Sequence, residues 1–271
     1  MKIGILTQPL HANYGGLLQN YALQQTLIRA GHEVKTIDWN AGNNLREVLY
    51  RIKVKMMHAL SPSKYPASGY WPTVKERSVI QRNTNRFVQS YIKHTEIIHS
   101  YKGFVKQSTN GAYDAFVVGS DQCWRPAYNA FLPSMFLDFA QKKQVKRIAY
   151  AASFGTDKWE FTPQQTNICA ALAKMFDLVT VREDSGVKLC KEFLGVDAMH
   201  VLDPTMLLTK DDYIQLIEAE KEPHSAGTLF NYILDPNAKK LLSYSEWQKC
   251  RNRLLSKYCL NVKQKRAQWK M

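Results

Sequence analysis

The chain has 271 residues, and its 45% hydrophobic content is enough for the core of one large α/β domain, or of one and a half. Five scattered cysteines without a C-x-x-C pair exclude a disulfide framework and indicate reduced thiols, with no metal site expected. The sequence shows no signal peptide and no apolar run near the roughly 20 residues of a membrane span, so we expect a cytoplasmic protein. Its formal net charge is +14.

The positive charge is concentrated in two segments. Residues 43–106 hold 12 Lys/Arg against 3 Asp/Glu, and residues 236–271 hold 10 against one. Such segments favour an anionic membrane surface or a polyanion. The basic tail, which also contains aromatic residues, could contact nucleic acid. Basic charge alone is weak evidence for this, and we do not expect a nucleic-acid partner.

The first 30 residues predict a strand at 2–6, a loop at 7–16 and an amphipathic helix at 17–29 that ends at Gly31. This is the opening of a doubly wound domain, whose crevice lies at the carboxyl ends of the strands. The candidate residues in this loop are His11, Asn13, Tyr14, Gly15 and Gly16. The loop lacks G-x-G-x-x-G and a P-loop lysine; the glycine pair either admits an anion to the helix N-terminus or packs a tight turn.

A second strand is predicted at 33–38, where Asp38 could hold a ribose or, more simply, pair locally. Basic helices follow at 45–59 and 73–92, separated by a proline-containing loop at 61–72. We expect them to form either a solvated face or a cationic rim near a cleft or membrane.

Residues 113–120 predict a central buried strand because of the continuous run AFVV. The residues just beyond it suit a sugar site, since they offer a carboxylate, an amide and an indole face. They are Ser120, Asp121, Gln122 and Trp124. Alternatively, Ser120 and Asp121 would cap a helix.

Strands at 146–152 and 178–181 are each followed by a loop and a helix, the helices spanning 162–175 and 184–194. Ser153 follows the first of these strands and Arg182 the second. A guanidinium at a strand end suits a carboxylate or phosphate ligand, but an ion pair with Glu183 or Asp184 is the alternative.

The last predicted elements are a strand at 200–202 closed by Asp203, a helix at 210–220, a linker at 222–227 and an apolar strand at 228–234. We therefore predict a Rossmann-like α/β domain with a doubly wound parallel sheet over 1–222. Residues 223–271 would hold the linker, the first strand of an incomplete second domain and a basic helical tail. An incomplete sheet exposes an unpaired edge, which favours self-association.

Four stretches resemble the polysaccharide pyruvyl transferase family in the right order. They are NYGGLLQNYALQ, YDAFVVGSDQCW, RIAYAASFG, and VTVREDSGVKLCKEFLG followed by VLDPTMLL. The resemblance implies transfer of a pyruvyl group from phosphoenolpyruvate to two hydroxyls of a cell-surface or exopolysaccharide sugar, giving a ketal. It also implies a GT-B-like pair of Rossmann domains, phosphoenolpyruvate as donor substrate without a further cofactor, and a sugar or lipid-linked glycan acceptor near the inner membrane face.

Carried onto this sequence, the family motifs supply Asn13, Tyr14, Gly15, Asp121, Gln122 and Arg182. We expect Asp121 to order or deprotonate the acceptor hydroxyl and Arg182 to bind the donor's carboxylate or phosphate. His11 could carry a proton, or could serve only as a hydrogen-bonding residue. The family's second domain carries an Asp-Ser-Phe-His-Gly-like motif for phosphoenolpyruvate, whereas no histidine follows His224 here. Two hypotheses result: a transferase whose truncated chain is completed elsewhere or inactive, and a non-catalytic glycan-binding protein.

Overall fold

A computed structural model describes residues 1–40, 56, 74–129, 131–140 and 144–221. Its centre is a sheet of six parallel strands in the order β2-β1-β3-β4-β5-β6. The strands are β1 (Lys2–Leu6), β2 (Glu33–Thr36), β3 (Ala115–Val118), β4 (Lys146–Ala152), β5 (Leu178–Val181) and β6 (Met199–His200). The predicted Rossmann-like α/β fold is confirmed, and the strand order reverses direction between β1 and β3.

The helices in the described residues are α1 (Tyr14–Arg29), α2 (Val74–Ile80), α3 (Arg82–Tyr91), α4 (Tyr101–Asn110), α5 (Pro163–Ala173), α6 (Asp184–Leu189) and α7 (Lys210–Glu220). The helix predicted at 73–92 is divided at Gln81 into α2 and α3. The one predicted at 184–194 becomes a π-helical turn, Cys190–Leu194, after α6. The helix and loop predicted at 45–59 and 61–72 lie outside the described residues, apart from the helical Met56.

Strand register places the carboxyl ends of the strands at one edge of the sheet. Leu6 of β1 pairs with Val118 of β3, and Val181 of β5 pairs with both Ala152 and His200. The loops that follow these strands therefore leave the sheet side by side. In a doubly wound sheet, the crevice at such an edge is where ligands bind.

Both faces of the sheet are covered, as expected for a parallel sheet. Phe116 and Val118 of β3 belong to a large aromatic-rich core cluster, whereas Ala115 and Val117 pack with Ile5 and other residues on the opposite face. The continuous AFVV run is buried on both sides, which is why it lacks a polar–apolar alternation.

Helix α7 belongs to a second compact unit that begins at Lys210. The linker predicted at 222–227, the strand at 228–234 and the basic tail all lie outside the described residues. Within the part of the chain that is described, no helix is both long and apolar enough to cross a membrane.

Candidate active site

Side chains from four strand ends and from α1 meet in one hydrogen-bonded group at the carboxyl edge of the sheet. Gln19 Oε1 accepts from the main-chain N–H of Asp121 at 2.9 Å, and Gln19 Nε2 donates to Asp203 Oδ2 at 2.5 Å. Arg182 Nη1 donates to the same Asp203 oxygen at 3.3 Å, and Arg182 Nη2 donates to Ser153 at 3.2 Å. Asp121 and Arg182 are thus linked through Gln19 and Asp203, although 61 positions separate them in the printed sequence.

Asp121 lies in a tight turn after β3. Its Oδ2 accepts from Asn13 Nδ2 at 2.8 Å, and its Oδ1 accepts from the N–H of Gln122 at 2.8 Å. Its carbonyl accepts from the N–H groups of Cys123 and Ser153. The turn is followed by a short 3₁₀ segment, Pro126–Tyr128, so the alternative that Ser120 and Asp121 cap an α-helix is wrong.

The first turn of α1 begins three residues earlier than predicted because Asn13 caps it. Asn13 Oδ1 accepts from the N–H of Gly16, and a side chain at Gly16 would place its Cβ 2.9 Å from Asp121 Oδ2. Gly16 therefore leaves room for the Asp121 carboxylate at the positive end of α1, where negative charge is stabilised. Tyr14 is 63% exposed and Gly15 is exposed beside it, so both face solvent at this edge.

Arg182 is held by three groups of the protein itself. Besides Asp203 and Ser153, its Nε donates to Glu183 at 3.0 Å, so the predicted ion pair with Glu183 is present. Burial alone would lower the pKa of the guanidinium, but the hydrogen bond and charge of Glu183, with those of Asp203, raise it overall. One N–H on each terminal nitrogen is left over from these contacts, on a side chain that is 21% exposed.

The two serines of the group, Ser153 and Ser120, are buried, and their hydroxyls form hydrogen bonds with other groups of the protein. Ser153 donates to Glu183 at 2.8 Å and accepts from Arg182 and the N–H of Gly155. A hydroxyl has one donor and two acceptor positions, so this one is fully used. Ser120 donates to Asp203 at 3.4 Å. Both serines orient charged neighbours.

Trp124 does not lie at the crevice surface, contrary to our expectation. Its ring is fully buried, stacks on Phe136 at 4.7 Å between ring centroids, and donates from Nε1 to the carbonyl of Met135. It anchors the loop after β3 to the core. The Gln122 side chain is also engaged, since its Oε1 accepts from Arg125 at 3.1 Å.

His11 is half-buried in the loop after β1. Its Nδ1 accepts from the N–H of Ala12, and burial, followed by the positive charge of Arg77, lowers its pKa below 6.5. Among the described residues no hydrogen bond joins His11 to Asp121 or Arg182. The nearby Asp38 pairs locally, accepting from the N–H of Leu10 at 3.4 Å, and its pKa is raised by burial.

Sequence reasoning did not assign Gln19 and Asp203 to this site. Asp203 could have been found by the rule that located Asp121 and Arg182, because it also follows a strand of the sheet. Gln19 could not, since nothing in a helical sequence shows which polar side chain faces a neighbouring loop.

The model of the polysaccharide pyruvyl transferase family matches residues 13–263. The chain belongs to this family. A search of curated proteins found no match. Every residue of the hydrogen-bonded group, from Asn13 to Asp203, lies within the part matched by the polysaccharide pyruvyl transferase model. Membership implies a polysaccharide acceptor and a pyruvyl donor.

Proposed function

We propose that this protein transfers a pyruvyl group from phosphoenolpyruvate to two hydroxyls of a saccharide, forming a cyclic ketal and releasing phosphate. A proton adds to the methylene carbon, and the adjacent carbon, which bears the phosphate oxygen, becomes electrophilic. One hydroxyl oxygen attacks that carbon, its bond to the phosphate oxygen breaks, and the second hydroxyl oxygen then attacks the same carbon. Of the two protons lost from the hydroxyls, one balances that added to carbon and the other leaves with phosphate.

The observation that carries this proposal is the chain of hydrogen bonds that links Asp121 to Arg182 through Gln19 and Asp203. Asp121 would order and deprotonate an acceptor hydroxyl, as a general base within hydrogen-bond reach. The two remaining N–H groups of Arg182 would bind the carboxylate or phosphate of the donor. His11 would carry the proton for the methylene carbon, and Tyr14 and Gly15 would contact the substrates from the exposed N-terminus of α1.

A non-catalytic glycan-binding protein is the second candidate, and the charge of the site favours it. Glu183 and Asp203 contact the guanidinium of Arg182, and the Asp121 carboxylate belongs to the same hydrogen-bonded group. These three carboxylates and one guanidinium give a formal surplus of two negative charges. Such a group repels phosphoenolpyruvate but accepts hydrogen bonds from neutral sugar hydroxyls.

We also propose that a lipid-linked acceptor is met at an anionic membrane surface. The apolar side chains of Val79 (61%) and Ile80 (46%) are exposed on helix α2. Two exposed cations lie near them in the chain, Lys75 on the same helix and Arg82 at the first position of α3. Apolar side chains flanked by cations suit a headgroup boundary. Co-sedimentation with vesicles containing phosphatidylglycerol, but not with phosphatidylcholine vesicles, tests this, and Val79→Ser/Ile80→Ser should weaken it.

The transferase is tested by incubating the full chain with phosphoenolpyruvate and a panel of methyl glycosides and lipid-linked saccharides. We expect phosphate release that depends on one acceptor, whose mass increases by one pyruvate less one water. Asp121→Asn should abolish the reaction. Asp197→Asn is the matched control because Asp197 pairs with Lys191 on the surface. Calorimetry separates the candidates: a glycan-binding protein gives heat with the saccharide and none with phosphoenolpyruvate.

A further inference from the structure

Asp203 receives hydrogen bonds from five donors at this edge of the sheet. Its Oδ2 accepts from Gln19 Nε2 at 2.5 Å, Arg182 Nη1 at 3.3 Å and Ser120 Oγ at 3.4 Å. Its Oδ1 accepts from the N–H of Thr205 at 2.9 Å and from its hydroxyl at 2.7 Å. The two oxygens thus have different neighbours: Oδ1 closes its own turn, and Oδ2 faces the site.

The charge on Oδ2 determines which way the Gln19 amide points. A carboxylate oxygen only accepts, so the NH₂ group of Gln19 must face Asp203. The amide oxygen then faces the N–H of Asp121. A reversed amide would place oxygen against oxygen on one side and N–H against NH₂ on the other.

Through this amide, Asp203 acts on the main chain of Asp121. Asn13 and Gln122 hold the carboxylate of Asp121, but its N–H is held by Gln19 alone among the contacts of the described residues. Losing that bond leaves the N–H of Asp121 without this partner and removes one constraint on the turn after β3. Asp203 also contacts Arg182 directly, so one carboxylate sets the positions of both groups assigned to the reaction.

We propose that Asp203 is a positioning residue that fixes Asp121, through Gln19, and Arg182 in the geometry required for transfer. This inference rests on the proposed transferase function. A purely local role, capping the short 3₁₀ segment Pro204–Leu207, requires only Oδ1. Asp203→Asn separates the two roles, because an asparagine can keep Oδ1 for Thr205 while replacing Oδ2 with a donor.

The experiment compares Asp203→Asn, Gln19→Glu and the double variant, with Asp197→Asn as control. Asp203→Asn would set a second NH₂ group against that of Gln19, whereas Gln19→Glu would set a second carboxylate against that of Asp203. In the double variant, the carboxylate introduced at position 19 accepts from the amide introduced at position 203 and from the Asp121 N–H, which restores the bridge. The turnover of phosphoenolpyruvate and the amide signal of Asp121 in ¹⁵N-correlated NMR spectra of the full chain are measured.

We expect each single variant to lose about 100-fold in turnover, the scale of an approximately 1 Å misplacement, and to shift the Asp121 amide signal. The double variant should regain at least about tenfold and return the signal toward its wild-type position, since the bridge re-forms although the contact with Arg182 is lost. If Asp203→Asn does not fold, Gln19→Met removes the bridge alone and should give the same loss and shift as Gln19→Glu.

Wild-type turnover and an unshifted Asp121 signal in Asp203→Asn would overturn the proposal, as would a double variant no better than either single one. A wild-type chain that consumes no phosphoenolpyruvate with any acceptor overturns the proposed function instead. The shift and recovery of the Asp121 signal still decide the positioning role in that case, because this signal needs no substrate.

Discussion

Gly119 lies between β3 and Asp121, and adding a methyl group there should displace the residues of the site. Its φ is +137°, which L residues rarely adopt, and a Cβ built there would lie 2.0 Å from the carbonyl oxygen of Tyr150 in β4. That oxygen belongs to the backbone of a central strand, so it cannot rotate away. Gly119→Ala must therefore shift the turn that presents Asp121.

Gly31 provides the control, because its φ is also positive (+85°) but no atom lies within 4 Å of a Cβ built there. Gly31→Ala should cost about 1 kcal/mol in unfolding free energy, from backbone strain alone. Gly119→Ala should cost about 3 kcal/mol or more, because the clash is added to strain of about 1–3 kcal/mol. Urea unfolding followed by circular dichroism measures both. Equal losses in the two variants would contradict this account of the clash.

Three further predictions concern a histidine, a carboxylate and an indole. His11 has a pKa lowered by burial, so the wild-type unfolding free energy should decrease as pH falls below 6.5, and urea unfolding of His11→Gln across pH should show a weaker dependence. Burial raises the pKa of Asp38, so Asp38→Asn should gain stability relative to wild type at pH 7, and the gain measured by the same titration should vanish as pH falls below 3.8. Trp124→Phe leaves the buried Met135 carbonyl without its donor and should cost about 2 kcal/mol by urea unfolding, against a smaller loss for the half-buried Trp159→Phe.

The elements predicted best were those with a strong local signal. The strands at 146–152 and 178–181 and the helix at 210–220 have the predicted bounds, since apolar runs and terminal capping residues are local properties. The helix at 17–29 started late in the prediction because its first turn, Tyr14–Gly16, is polar or glycine and carries no apolar periodicity. Asn13, the cap, is recognisable only once that turn is known to be helical.

The candidate site was predictable in part, because the position of a residue at the end of a strand is also a local property of the sequence. Chain order and strand-end position were enough to choose Asp121, Ser153 and Arg182, because carboxyl ends of parallel strands share an edge. The orientation of each side chain was not: Trp124 also follows β3, yet it turns inward to stack on Phe136. Residue type states what a side chain can bind, and packing determines whether it can reach a ligand.

The amino-acid order was therefore sufficient for the parallel α/β fold and for the edge of the sheet at which polar loops gather, because alternating helices and buried strands permit few arrangements. The family followed from the resemblance of four sequence motifs, not from this alternation. The folded coordinates were needed to learn that Asp203 and Gln19 connect Asp121 to Arg182 and that Ser153 is fully occupied by its neighbours. Those facts depend on distances of about 3 Å between residues far apart in the chain, and hydrogen bonds have that short range.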